Sequence, residues 1–254
     1  MKVTILGSGS ASGTPAVGSG WGSCDPNEPR NRRLRASILV EEGGTRILVD
    51  TSPDLREQLL AAGIDRVDGV LYTHEHADHL HGIDELREVN RAMNGPLPIW
   101  ASQRVLDIIG ERFGYVLTPL PEGSVIYKPV LQAHRAEGRF TVGTIPVAAF
   151  EQDHGYGPSL GFRFGPVAYS TDVVEMPEDS FAALAGIDVW IVGCMTDSPH
   201  PTHAHVDKVL AWAERVRPKR TVLTHLGLHL DHRRLMARLP TNVEPAYDGM
   251  VIEA

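Results

Sequence analysis

Cysteine is scarce in this chain, which contains only Cys24 and Cys194 among 254 residues. Two thiols can build neither a four-cysteine zinc site nor a disulfide framework, so the small disulfide-rich folds and the zinc ribbons are excluded. We therefore expect two reduced thiols in a cytoplasmic protein.

Long apolar runs are also missing. No stretch approaches the roughly 18 apolar residues that a membrane-spanning helix needs, so we expect no membrane partner. The apolar residues at the start of the chain give way at position 7 to glycine and serine, whereas a secretory leader has a longer apolar segment and a cleavage site. The sequence thus predicts no leader.

Positive charge is not in excess either. The chain has 24 lysines and arginines against 32 acidic residues, a net charge of −8, which argues against a surface that wraps long nucleic acid. An anionic substrate would have to be attracted locally, by metal ions or by the arginines of segment 30–35. The 42% hydrophobic content is ordinary for a globular protein and predicts one domain over residues 1–254, with a homodimer possible.

Short apolar segments bounded by glycine, proline and polar residues predict a mixed α/β fold. Residues 48–51 resemble 169–172, and 70–74 resemble 222–225, which predicts two pseudo-symmetric halves. The predicted strands are 2–7, 37–41, 46–49, 69–72, 97–100, 140–149, 160–164, 166–170, 188–192 and 220–224, and the predicted helices are 54–62, 81–92 and 206–216.

A histidine-rich motif, Thr-His-Glu-His-Ala-Asp-His, begins at Thr73 directly after a predicted strand. Functional residues collect in loops at such strand ends. In an irregular loop, His74 and His76 can face one metal ion while Asp78 and His79 turn to a second. Solvated surface histidines are the alternative, but clusters of this kind are far more often metal ligands.

Three later residues have the side chains and the positions to complete such a site. His154 follows the apolar segment 145–150, and Asp172 and His225 each end a predicted strand. Alone, each is more often a structural residue with its hydrogen bonds satisfied. Together with the motif they complete two sets of three ligands and one shared carboxylate.

The whole pattern resembles the metallo-β-lactamase superfamily over essentially the full chain. The resemblance implies an α/β four-layer αββα sandwich with two divalent ions, zinc or manganese, at one edge. It also implies that Asp50 orients one of the metal-binding side chains by a hydrogen bond on the side away from the ion. The implied ligands are His74, His76 and His154 for the first ion, Asp78, His79 and His225 for the second, and Asp172 as the bridge.

Several segments resemble one branch of that superfamily, the phosphodiesterases. They include 6–15, 32–37, 81–87, Pro201-Thr202-His203, 230–231 and 247–250, and they are most similar to phosphoribosyl 1,2-cyclic phosphate phosphodiesterase. Ribonuclease Z is a more distant relative. Such relatives often hold a structural zinc with several cysteines before the arginine segment, but only Cys24 is present here, so we expect no such zinc.

The expected function is hydrolysis of a small phosphodiester, cyclic or nucleotide-like, by a hydroxide bound to the metal ions. Asp78 would take part as a ligand beside the reacting centre. His203 shortly precedes the helix at Val206 and would act as leaving-group acid or phosphate ligand. We expect the flanking His200 and His205 to face solvent, although either of them can share this role.

Two other functions stay open. A thioesterase or lactonase of the same fold, similar to glyoxalase II, would use the same seven ligands. A metal or nucleotide-binding module without catalysis is the other alternative, and the complete ligand set argues against it. β-Lactam hydrolysis is disfavoured because a bridging aspartate such as Asp172 is not typical of those enzymes.

Overall fold

The computed structural model describes residues 1–121, 128 and 130–254 of the chain. Its strands are β1 (Lys2–Gly7), β2 (Ser37–Glu42), β3 (Thr45–Val49), β4 (Gly69–Leu71), β5 (Leu97–Ala101), β6 (Leu131–Arg135), β7 (Arg139–Val142), β8 (Ile145–Asp153), β9 (Pro158–Phe164), β10 (Val167–Ser170), β11 (Val189–Gly193), β12 (Arg220–Thr224), β13 (Val243–Pro245) and β14 (Val251–Glu253). Its α-helices are α1 (Leu55–Ala62), α2 (Ala77–Leu80), α3 (Leu86–Met93), α4 (Gln103–Leu117), α5 (Glu178–Ala183), α6 (Val206–Val216) and α7 (His232–Met236).

The strands form two seven-stranded sheets. The first has the order β14-β1-β2-β3-β4-β5-β6 and the second the order β13-β12-β11-β10-β9-β8-β7. In the first sheet β3 to β6 run parallel, and in the second β10 to β13 run parallel. Each sheet therefore brings the carboxyl ends of several strands to a common edge, which is where side chains for a site can collect.

Three apolar clusters define the layers. One joins both sheets and includes Ile38, Phe162 and Tyr169, while the other two lie between a sheet and its helices. Strands β10 and β11 are buried at every position, as expected of parallel strands covered on both faces. The resulting order of helix, sheet, sheet and helix confirms the predicted αββα sandwich.

Two element predictions were wrong. The helix predicted at 81–92 is divided: α2 ends before His81, a 3-10 turn follows at Ile83–Glu85, and α3 begins only at Leu86. Gly82 lies at the division, so close to the Ser52 carbonyl that a Cβ there would come within 1.9 Å of the oxygen. The strand predicted at 140–149 is the hairpin of β7 and β8, since Gly143 turns the chain with a φ of 56°.

The helix predicted at 206–216 is confirmed as α6, residue for residue. The helix predicted at 54–62 is also confirmed as α1, which begins one residue later and ends where Gly63 adopts a left-handed conformation. Within the described part of the chain, no helix combines the length and the apolar character needed to cross a membrane.

Candidate metal centre

The predicted site residues lie where strands of both sheets end. Asp50 directly follows β3, Asp172 follows the end of β10 by two residues, and His225 directly follows β12. All three have a positive φ, of 63°, 48° and 55° respectively. Residues other than glycine adopt this conformation at a cost and tend to do so at functional sites, where surrounding contacts hold them.

The first group of potential ligands contains His74, His76, His154 and Asp172. One nitrogen or oxygen atom from each lies within 4.8 Å of the others. Nε2 of His154 is 3.3 Å from Nδ1 of His76, and Nε2 of His74 is 3.7 Å from Oδ2 of Asp172. His76 is exposed while the other three are buried, so solvent reaches this group from the side of His76.

The second group contains Asp78, His79, Asp172 and His225, again within 4.8 Å and all buried. Asp78 and His79 lie on the short helix α2, where the sequence predicted an irregular loop. Nε2 of His79 and Nε2 of His225 are each 3.2 Å from Oδ1 of Asp172. The carboxylate of Asp172 thus faces the second group with Oδ1 and the first with Oδ2, as the predicted bridge requires.

The histidine nitrogens show that this cluster suits metal ions. Nε2 of His74 is buried without a hydrogen-bond partner among the described residues, and Nε2 of His79, although 3.2 Å from Oδ1 of Asp172, is not aligned for a hydrogen bond to it. The opposite nitrogens are engaged: Nδ1 of His74 lies 3.0 Å from Thr73 Oγ1, and Nδ1 of His79 lies 2.7 Å from Asp50 Oδ2. Imidazoles that bind a metal have this arrangement, with one nitrogen oriented from behind and the other directed at the ion.

Charge leads to the same interpretation. Burial opposes ionisation of Asp172, yet His225 and His79 outweigh it and hold the pKa of that carboxyl well below its usual value. Burial lowers the pKa of His74 well below 6.5, which favours the neutral, metal-binding imidazole. Asp50 and Asp78 are buried as well; burial raises the pKa of Asp50, whereas His79 and His225 outweigh burial and lower that of Asp78. Buried carboxylates need positive charge beside them, which either a protonated His79 or a bound cation can supply.

Asp50 lies behind the second group, as predicted. Its Oδ2 is 2.7 Å from Nδ1 of His79 and accepts a 2.8 Å hydrogen bond from Thr73 Oγ1, while Oδ1 accepts from the Thr73 amide at 2.8 Å. This carboxyl group therefore fixes the ring of His79 and, through Thr73, the start of the histidine motif.

His203 lies at the edge of both groups. Its Nε2 is 3.2 Å from Oδ2 of Asp172, and its ring stacks on that of His225 with centroids 5.1 Å apart. Nδ1 of His203 is 2.8 Å from Thr202 Oγ1 and 3.4 Å from Nδ1 of His200. His200 is half-buried and lies beside His203, whereas His205, also half-buried, precedes α6 and makes no side-chain cap there.

Threonines that support the site were missed by the sequence analysis. Thr171 Oγ1 donates to Oδ1 of Asp172 at 2.7 Å, and the Thr202 carbonyl is 2.8 Å from Nδ1 of His154. A signal for them is present, because a threonine directly precedes His74, Asp172, His203 and His225.

Two of the four arginines in segment 30–35 are engaged within the protein, while Arg30 and Arg32 are exposed. Arg33 is buried and donates a 2.7 Å hydrogen bond to the Leu230 carbonyl, and Arg35 pairs with Asp54 at 2.9 Å. These two arginines hold their own segment in place. An anion could therefore be attracted by the exposed Arg30 and Arg32 as well as by the metal centre.

Comparison with known proteins identifies the family. The model of the β-lactamase superfamily domain matches residues 45–226. The chain belongs to the metallo-β-lactamase superfamily. A solved structure described as a new diphosphatase from the PhnP family is similar over 100% of this chain and 97% of its own, with 32% identity and a TM-score of 0.91. This full-length match supports the phosphodiesterase branch of the superfamily that the sequence motifs predicted.

More distant members share the fold. Zinc-bound PqqB from Methylobacterium extorquens covers 100% of both chains with 18% identity and a TM-score of 0.75. The short form of human tRNase Z covers 100% of this chain and 99% of its own, with 20% identity and a TM-score of 0.73.

Among curated proteins, an octanoyltransferase of Porphyromonas gingivalis is 34% identical over 98% of this chain and 51% of its own length. A ribonuclease Z of Bradyrhizobium sp. is 33% identical over 54% of this chain and 46% of its own. The chain thus spans about half the length, or less, of these curated relatives.

Proposed function

We propose that this superfamily member is a binuclear metallohydrolase that cleaves a small phosphodiester, cyclic or nucleotide-like. The observation that carries the proposal is the position of Asp172, whose two carboxylate oxygens face two separate ligand groups while His203 lies beside it. Two adjacent cation sites with a neighbouring histidine suit a reaction in which negative charge grows on phosphoryl and leaving-group oxygens.

The donor set favours zinc or manganese, because imidazole and carboxylate ligands occur together. Two such ions, when bound, lower the pKa of a water molecule and screen the charge of the phosphoryl oxygens. In this assignment Asp172 is shared by both ions. The first ion is held by His74, His76 and His154, and the second by Asp78, His79 and His225.

His203 is proposed to protonate the leaving group. Its Nδ1 lies beside the Thr202 hydroxyl, so Nε2 is the nitrogen that faces the site. In the protonated ring, Nε2 carries a proton that a departing alkoxide can accept. The alkoxide of an ordinary alcohol is a poor leaving group, and it departs more readily when a positioned acid protonates its oxygen.

A diphosphate is the second candidate substrate, because the 32% identical solved structure is described as a diphosphatase. An acyl ester or thioester has weaker support. The name octanoyltransferase belongs to a relative of which about half lies outside the match, so the named activity need not reside in the matched part.

The test is a panel assay on protein loaded with zinc or manganese. We expect close to two ions per chain by elemental analysis, and hydrolysis of bis-p-nitrophenyl phosphate and of nucleoside 2′,3′-cyclic phosphates that stops after chelation and returns with metal. Diphosphate turnover without phosphodiester turnover would favour the second candidate. Turnover of S-lactoylglutathione alone would replace the phosphodiester proposal with the thioesterase.

A further inference from the structure

A large exposed aromatic side chain lies in the turn that follows the candidate ligand His154. Tyr156 is 89% exposed and makes no hydrogen bond, ion pair or ring contact with any residue that the structure describes. It lies two residues after His154, in the turn between β8 and β9. Exposed tyrosines are common, but this one is close in sequence to a ligand of the first group, which solvent reaches from the side of His76. Its ring can therefore contact a molecule that binds there.

The turn that carries Tyr156 is held from both sides. The amide of His154 donates to the Gly157 carbonyl at 3.0 Å, and the amide of Gly155 donates to Oδ1 of Asp153 at 2.7 Å. Gly155 has a φ of 89° and lies against the loop before His203, where a Cβ would come within 2.6 Å of the Pro201 carbonyl. The backbone beneath Tyr156 is thereby fixed relative to the loop that carries His203.

The other side of the turn contacts the histidine motif through an arginine. Glu75, between the ligands His74 and His76, forms an ion pair with Arg104 at the start of α4. The guanidinium of Arg104 lies against Gly157, where a Cβ would come within 3.1 Å of Nη1. The turn that carries Tyr156 therefore lies between the loop before His203 and the Glu75–Arg104 pair next to the exposed His76.

We propose that Tyr156 stacks on a flat ring of the substrate, so that the substrate is a phosphodiester with a nucleobase-sized aromatic group on one of its ester arms. This inference rests on the proposed function. A tyrosine ring offers a large flat surface with little side-chain entropy to lose, and bases of any identity can stack on it. Because the turn is braced on both sides, the ring can act without a large rearrangement of the loop.

The test uses two substrates with the same leaving group. Thymidine 5′-(p-nitrophenyl phosphate) carries a base, and methyl p-nitrophenyl phosphate does not. Tyr156→Ala should reduce kcat/KM for the thymidine ester roughly 5- to 100-fold, the effect of losing one base–aromatic contact. The loss should appear as a higher KM with kcat unchanged, because stacking stabilises the bound substrate and the transition state equally. The methyl ester should be cleaved as before.

Two variants serve as controls. Tyr156→Phe keeps the ring and should retain the wild-type KM for the thymidine ester. Leu60→Ala removes another exposed apolar side chain, on α1, and should change neither substrate. Thymidine 5′-monophosphate should inhibit the wild type and Tyr156→Phe with similar constants and Tyr156→Ala more weakly.

Equal losses on both esters, or none on either, would overturn the stacking role. If the wild type cleaves both esters with the same kcat/KM, the inference fails while the proposed phosphodiesterase stands. If the loaded protein cleaves neither ester, the inference and the proposed function fail together.

Discussion

Replacing His203 by alanine separates a leaving-group acid from a metal ligand. The seven proposed ligand side chains do not include His203, although its Nε2 is 3.2 Å from Oδ2 of Asp172. We therefore expect His203→Ala to bind close to two ions per chain, as the wild type should, when both are loaded in the same way. Elemental analysis of the two proteins measures this directly.

The expected loss of rate depends on the leaving group. For a nucleoside 2′,3′-cyclic phosphate, whose alkoxide must be protonated, kcat should fall by roughly 10²–10⁴, the usual contribution of a general acid. For bis-p-nitrophenyl phosphate the loss should be far smaller, because p-nitrophenolate departs without a proton. The ratio of the two losses is the quantity to measure, since it cancels any general change in the protein.

His205→Ala is a matched control. It removes a histidine two residues further on that precedes α6 without a side-chain cap, so both substrates should be cleaved at the wild-type rate. Equal losses on both substrates in His203→Ala would refute the acid role and leave a phosphate contact as the explanation. No loss on either substrate would remove His203 from the reaction altogether.

Three further predictions concern other parts of the chain. Asp172→Ala should lose most activity and at least one bound ion, because both ligand groups share this carboxylate; near-normal turnover with both ions present would contradict the bridge. Cys24→Ser should leave metal content and melting temperature nearly unchanged, and the loss of one zinc equivalent on elemental analysis would reveal a third site. Asp248→Asn should flatten the pH dependence of the melting temperature between about pH 4 and 6. Burial raises the pKa of Asp248 to about 6. In the wild type this carboxyl therefore contributes stability below its unfolded pKa, and that contribution is lost as the pH rises through 6. An unchanged slope in the variant would show that other groups cause the pH dependence.

The sequence predicted the site better than it predicted the elements around it. The positions of the candidate ligands could be predicted because the histidine motif and the later strand-end residues together make up a ligand set, although each later residue alone is more often structural. Helix α4 and strand β6 were not predicted. Gly110 and Gly114 lower the helix propensity of α4, although its buried residues keep a helical spacing. Four of the five residues of β6 are exposed, so this strand has no alternating apolar pattern.

The histidines around position 203 show a second limit of prediction from the sequence. His200 and His205 flank His203 at similar distances along the chain, yet only His200 lies against its ring. His205 pairs with Thr196 just before α6 begins at Val206, whereas Nδ1 of His200 accepts a 3.3 Å hydrogen bond from the Thr202 amide beside His203. Such a difference depends on backbone direction within a loop, which residue types alone do not specify.

The ligand groups draw on both sheets, and this has a thermodynamic consequence. Asp78 and His79 belong to the first sheet's connections, whereas Asp172 and His225 end strands of the second. An ion held by all four binds only the folded chain, so by mass action it would raise the free energy of unfolding by about 4 kcal/mol at a free concentration a thousandfold above its dissociation constant. The melting temperature would then rise with the metal concentration. A chelator would lower both the stability of the contact between the two sheets and the activity at their shared edge.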